Sequence, residues 1–303
     1  MLFDSHAHIN DADTSDQVRE AVIAAIEKSE MIDYVADIGC DLATSKMAVD
    51  HSNKYSWCFA VVGCHPHEAK DMDDMQLAMI KGLAKKDKAV AIGEIGLDFH
   101  YDFSPRDVQR EWFRRQIRLA NELKMPIVVH SREADQEVMD ILKEEGAFSL
   151  ERKSWFSKRP DPTGYVNGSV DALSQESIPS SGKISDAEAE TCDDARVLLH
   201  CFSGSRELAR QYVKLGATVS IAGPVTYKNN KKTVGVVEEI PFDFLLVETD
   251  SPYLTPEPFR GKRNTPLMVE HTVRKLAEIK GMNFEDVADR TKVNAMRFYG
   301  VKR

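Results

Sequence analysis

Short apolar runs alternate along the chain with longer amphipathic stretches. The runs at 2–8 (LFDSHAH), 33–39 (DYVADIG), 57–63 (WCFAVVG), 89–94 (AVAIGE), 126–130 (PIVVH), 196–200 (RVLLH), 217–221 (ATVSI) and 244–250 (FLLVETD) are predicted strands. They are short and rich in residues that favour extended backbone. Helices are expected near 15–29, 43–54, 74–86, 105–124, 133–145, 205–215 and 229–239, with Ser104-Pro105 and Ser205 as start signals. Two more, near 265–280 and 284–299, follow the eighth strand. Eight strands, each followed by a helix, is the repeat of an α/β TIM (β/α)8 barrel. An open doubly wound sheet is the competing arrangement.

One region breaks the rhythm. From about Ala147 to Asp194 the chain is rich in Ser, Pro, Gly and charge, without sustained apolar periodicity. The expected organisation is a single barrel domain over 1–303, with a flexible segment at about 147–194 inserted between the fifth helix and the sixth strand. That position falls on the N-terminal face of a barrel, opposite the face where function resides. Within it, RKSWFSKRP (152–160) mixes basic and aromatic residues. It reads as a solvated loop patch, with contact to nucleic acid or a partner as the alternative.

Composition narrows the function classes. The 303 residues are 42% hydrophobic and 29% charged, with a formal net charge of −9 and a pI near 5.6. Such an acidic balance argues against a broad basic groove for duplex DNA, but leaves room for a small phosphate-binding cleft. Five cysteines (Cys40, Cys58, Cys64, Cys192, Cys201) are scattered without a C-x-x-C pair, which suits reduced thiols. No secretory leader pattern opens the sequence and no apolar run is long enough to span a bilayer. A soluble, cytoplasmic protein without membrane contact is expected; its oligomeric state is open.

Candidate chemistry sits at the strand ends. His6 and His8 are two apart and so share one side of a strand, as does Asp4. Glu94 closes the fourth predicted strand, His130 the fifth, His200 the sixth and Asp250 the eighth. A lone histidine there is ordinarily a packing residue, and a lone carboxylate a helix cap. Six such residues at the same end of separate strands instead converge on one mouth. One ion needs three to five ligands, so six candidates suggest two divalent ions. Glu94 would bridge them, with His6, His8 and Asp250 on one ion and His130 and His200 on the other. In GCHPH (63–67), His65 stands at the height of the mouth for substrate contact, while Pro66 turns His67 away. Arg132, Arg260, Lys262 and Arg263 are candidates for phosphate oxygens, against the plainer reading of a solvated charged face. His51, His100 and His271 read as surface or packing residues. Cys64 and Cys201 flank site residues, but a metal site supplies its own water as nucleophile.

The stretches DSHAHIN, GCHPH, GEIGLDFHYDFSPRDVQREWFRRQIRLANELKMPIVVHSRE, LHCFSG and ETDSPYLTPEPFRGKRNTP, in this order, resemble the TatD family of metal-dependent deoxyribonucleases. The likeness covers the chain apart from 147–194. It implies a TIM barrel and a two-metal, typically magnesium-activated phosphodiesterase that trims DNA from its 3′ end. It also implies His6, His8, Glu94, His130, His200 and Asp250 as ligands and His65 at the substrate phosphate. Two departures stand out: the segment 147–194, and Thr265 in RGKRNTP, where the family pattern carries an acidic residue.

The expected reaction is therefore hydrolysis of a phosphodiester in DNA, at single strands or 3′ ends, with Asp250 orienting the attacking water. Nitrogen-rich ligation leaves zinc, manganese or iron as alternatives to magnesium. Two other readings compete: an amidohydrolase-type barrel cleaving an amide, ester or lactone, and a binding scaffold that kept the barrel without turnover.

Overall fold

The computed structural model describes residues 1–160 and 191–302. Its eight main strands are β1 (Leu2–Ala7), β2 (Ile32–Ile38), β3 (Cys58–Val62), β4 (Ala89–Asp98), β5 (Ile127–Arg132), β6 (Val197–Leu199), β7 (Thr218–Ile221) and β8 (Leu245–Val247). They pair in parallel in sequence order. The ring closes between β1 and the segment after β8, where Asp250 N–H donates to the His6 carbonyl (2.9 Å) and His8 N–H to the Ser251 carbonyl (2.7 Å). The fold is a TIM barrel, as the eightfold strand–helix repeat predicts.

Alternation along the strands builds two concentric cores. Inward-facing Phe3, Ile38, Val61, Val128, Leu198 and Leu246 fill the barrel; the helix Phe284–Tyr299 plugs its lower end with Met296, Phe298 and Tyr299. The Tyr299 hydroxyl donates to the Ser5 carbonyl at 2.7 Å. Outward-facing Leu2, Val35, Val62 and Ile92 pack beneath the helical shell. With both faces of each strand buried, the upper end of the barrel is left for polar residues.

Two strands outrun their predicted ends. β4 continues to Asp98 and β5 to Arg132 because Ile95–Asp98 pair in register with Val129–Arg132, beyond an irregularity between Ile92 and Ile95. Gly96 permits this approach. It has φ +151°, and a Cβ there would overlap the His130 carbonyl. The β8 ladder instead stops at Val247, and Glu248–Asp250 bend toward the neighbouring β7 and β1.

The described ends of the 147–194 segment carry regular structure. A short helix, Leu150–Ser154, leads to Arg159–Pro160, which pairs antiparallel with Thr191–Cys192. Within RKSWFSKRP, Arg152 and Arg159 are fully buried, while Ser154, Ser157, Lys158 and Pro160 stay exposed. Arg152 donates to the Ala195 and Met125 carbonyls and to Asn121. Arg159 pairs with Asp194, and its guanidinium lies 4.6 Å from the Phe244 ring. Long cationic side chains satisfy backbone carbonyls there, so a polar sequence hides a packed element. Residues 161–190 of the predicted insertion lie outside the described residues. Among the described residues no helix is long and apolar enough to cross a membrane.

Candidate metal centre

Glu94 occupies the middle of the upper mouth, 2% exposed. Its Oε1 stands 2.7 Å from His200 Nε2, 2.8 Å from His130 Nδ1 and 3.5 Å from His65 Nε2. Its Oε2 stands 3.3 Å from His6 Nε2 and 3.7 Å from His8 Nε2. Asp250 Oδ1 completes the second side, 3.4 Å from His8 Nε2 and 3.7 Å from His6 Nε2. One carboxylate thus faces two separate groups of imidazole nitrogens, one with each oxygen.

The spacing can be tested against metal geometry. Donors about 2.0–2.2 Å from a shared ion stand roughly 3–3.5 Å from one another. His6 Nε2 and His8 Nε2 are 3.3 Å apart, as are His130 Nδ1 and His200 Nε2. Four sets of candidate ligand atoms meet here: His6–His8–Asp250, His6–Glu94–His200, His8–Cys40–Glu94 and His65–Glu94–His130. The residues present fit divalent cations.

Hydrogen bonds on the far ring nitrogens select which lone pairs face inward. His8 Nδ1 lies 3.0 Å from the Ile38 carbonyl, so it carries the proton and frees Nε2. His130 Nε2 lies 3.2 Å from Asp98 Oδ2, freeing Nδ1. Among the described residues His200 Nδ1 makes no hydrogen bond, but it faces the Glu248 carboxylate at 3.5 Å, whose charge favours the proton on that nitrogen. His65 is built the other way. Its Nδ1 accepts the His67 N–H at 3.1 Å, so the proton sits on Nε2, facing the mouth. In this tautomer His65 presents an N–H rather than a lone pair to the mouth.

Electrostatics follow from this crowding. Burial alone would push the Glu94 carboxyl up, but the neighbouring His200 charge and the hydrogen bonds from His130 and His200 outweigh it and hold it well below the usual range. Burial and the neighbouring His130 push His65 well down, which keeps it neutral. Burial also disfavours charge on His130 and His200, yet Asp98 and Glu94 raise the first, and Glu94 and Glu248 raise the second. His8 is likewise held up, against burial, by Cys40, Asp250 and Glu94. Burial pushes the thiols of Cys64 and Cys201 up, the opposite of an activated nucleophile.

The predicted phosphate-binding cations lie on the rim with other neighbours. Arg132 stacks 4.6 Å from the Tyr101 ring and Arg260 4.5 Å from Tyr227. Lys262 is 5.3 Å from the Phe259 centroid, and Arg263 pairs with Asp11 and the Thr14 hydroxyl. Asp4, placed with the site by alternation, does not face the ligand atoms; it accepts from Thr249 N–H (2.9 Å) and Oγ1–H (2.5 Å) behind Asp250. Burial pushes its carboxyl up to about 8. His67 turns to Asp98, 2.9 Å away. His51 contacts Asp37, His100 contacts Glu133 and His271 packs on Phe259.

Sequence reading assigned no role to Asp98, Glu248, Gln109 or Gln116. Gln116 of the helix Arg106–Leu123 clamps both backbone groups of Cys64, next to His65. Gln109 of the same helix accepts from Asp98 N–H at 2.9 Å. Glu248 Oε1 accepts from Cys201 N–H at 2.7 Å. The signal available was weak: a glutamate or aspartate adjoining a strand-end histidine motif, and glutamines on an apolar helix face.

A TIM barrel with clustered histidines and carboxylates at its upper mouth defines a metal-dependent hydrolase. The family described as TatD related DNase matches residues 3–300, and the chain belongs to it. The metal-dependent hydrolase YabD of Bacillus subtilis is 40% identical over 301 residues, covering 99% of this chain and all of that protein. A protein of a Rahnella species named 3′-5′ ssDNA/RNA exonuclease TatD is 31% identical over 261 residues, 84% of this chain and 81% of its own. In structure, the TatD homologue YjjV of Escherichia coli superposes with a TM-score of 0.78 at 22% identity, over 99% of this chain and 98% of that one.

Proposed function

We propose that the protein is a two-metal phosphodiesterase that shortens single-stranded nucleic acid, DNA first, from the 3′ end. The observation that carries this reading is the divided carboxylate: each oxygen of Glu94 faces its own histidine group. His6, His8 and Asp250 would hold one divalent cation, His130 and His200 the other, with Glu94 between them. Magnesium is the first candidate, with zinc and manganese favoured by the nitrogen donors. The name of the Rahnella relative supports a nucleic-acid strand as substrate.

Bound cations supply an activated water and neutralise charge building on a phosphoryl group. The chain supplies the rest. Glu94, held ionised by its histidines, keeps its charge at working pH. Asp250, with φ +54°, points its carboxylate at His8 and into the mouth, where it orients the attacking water and accepts its proton. Neutral His65 donates from Nε2–H to a nonbridging phosphate oxygen. Arg132 and the loop carrying Arg260, Lys262 and Arg263, all on the rim, would meet the neighbouring phosphates.

Incubating the purified protein with 5′-labelled single-stranded DNA and magnesium, manganese or chelator tests this. A ladder shortening from the 3′ end, abolished by chelator, is expected. Glu94→Gln should lower the rate on the order of 1,000-fold while the fold persists. Untouched DNA alongside hydrolysis of an amide, ester or lactone panel would overturn the assignment in favour of the amidohydrolase reading.

A further inference from the structure

A row of rings leads outward from the candidate metal centre along one side of the mouth. His65 packs edge-on against His67 (centroids 4.3 Å apart), which in turn meets Phe103 at 4.8 Å and Tyr101 at 5.5 Å. Tyr101 and Phe103 lie stacked, 5.1 Å apart with their planes 23° from parallel. Both stand out in solvent, 47% and 56% exposed. The Arg132 guanidinium lies 4.6 Å from the Tyr101 ring centroid. Among the described residues no carboxylate pairs with it.

The loop that carries these rings is firmly built. Asp98 Oδ1 accepts the N–H groups of His100 (3.0 Å) and Tyr101 (2.9 Å). At the other end the Ser104 hydroxyl donates to the His67 carbonyl (2.7 Å) and Gln109 donates to the Ser104 carbonyl (2.8 Å). A loop pinned at both ends thus holds two large aromatic faces in water, beside the exposed Arg132 at the end of β5 and next to a reaction centre. Packing does not account for that arrangement, since burying aromatic area is favourable. Stacking of bases on rings, aided by arginine, is how proteins hold single-stranded nucleic acid without reading its sequence.

We propose that Tyr101, Phe103 and Arg132 form a stacking shelf for an unpaired nucleobase of the strand whose phosphodiester lies at the metal centre. The proposal rests on the nuclease reading and extends it to substrate selection. The shelf accepts any base, because every base has a π face. It disfavours duplex, whose base faces are already covered.

The test compares single-stranded oligonucleotides that are intact or carry abasic sites next to the 3′ end. Wild-type protein should show a KM roughly 10- to 100-fold lower for the intact strand. In the double variant Tyr101→Ala/Phe103→Ala that ratio should fall toward one, and Tyr101→Trp/Phe103→Trp, which keeps ring faces, should restore it. If wild type hydrolyses both strands with equal KM, the shelf is overturned and the nuclease reading stands. If wild type discriminates and the alanine variant discriminates equally, the base is held elsewhere and the proposal fails. If wild type cleaves neither strand with any metal, the nuclease reading falls and takes the shelf with it.

Discussion

At the scale of single residues, the centre depends on groups that touch no ligand position from outside the ring. Asp98 accepts from His130 Nε2 and His67 Nε2 while its other oxygen caps the following loop. Removing its charge leaves the His130 tautomer unselected, so Nδ1 loses its bias toward the mouth. Asp98→Asn should therefore weaken metal binding or activity roughly 10- to 100-fold. Titration calorimetry with manganese checks it, and unchanged affinity with an unchanged rate would remove the positioning role. The convergence of the histidines, Glu94 and Asp250 was legible because strand ends of a closed barrel share one rim. Asp98 was not, because the reading ended β4 at Glu94, and only pairing of Ile95–Asp98 with β5 carries it to the mouth.

At the scale of elements, the eight strands were legible because each is a short apolar run buried on both faces. The described flanks of the 147–194 segment were not, because their burial is carried by arginines. Asp194 is 1% exposed and faces three guanidiniums, those of Arg159, Arg196 (3.4 Å) and Arg297 (3.7 Å). No periodicity of hydrophobic residues reports such a cluster. Burial pulls the Arg297 guanidinium down to about 10 and lowers that of Arg196 as well, and the Asp194 carboxylate facing all three cations offsets that cost. Replacing Asp194 with Asn should destabilise the protein by about 3–5 kcal/mol. In thermal unfolding this appears as a Tm drop on the order of 10 °C. A drop under about 2 °C would show that water or the backbone carries the load instead.

At the scale of the whole molecule, the site couples metal, protons and stability. Glu94 and Asp250 have carboxyls lowered from 4.5 and 3.8. Their stabilising contribution is present above those ordinary values and is lost as pH falls through the lowered ones. His8, His130 and His200 are raised from 6.5. Their contribution is complete below that value and is lost as pH rises through the raised ones. His6 and His65, lowered by burial, act the other way, so the window in which the carboxylates stay ionised and the raised histidines keep their protons opens above about 4.5 and closes as pH passes the raised values. Above that window the protons leave, and cations must supply the missing positive charge in a chain whose net charge is already −9. Metal and proton compete for the same lone pairs. The stabilisation conferred by manganese should accordingly be small near about pH 5.5 and grow toward about pH 8.5. At a free concentration 100 times the dissociation constant it reaches about 2.7 kcal/mol. Differential scanning calorimetry with manganese and with chelator across this range measures the difference directly. A metal-dependent Tm shift that stays constant over the range would mean that the histidines facing Glu94 are not where the cations bind.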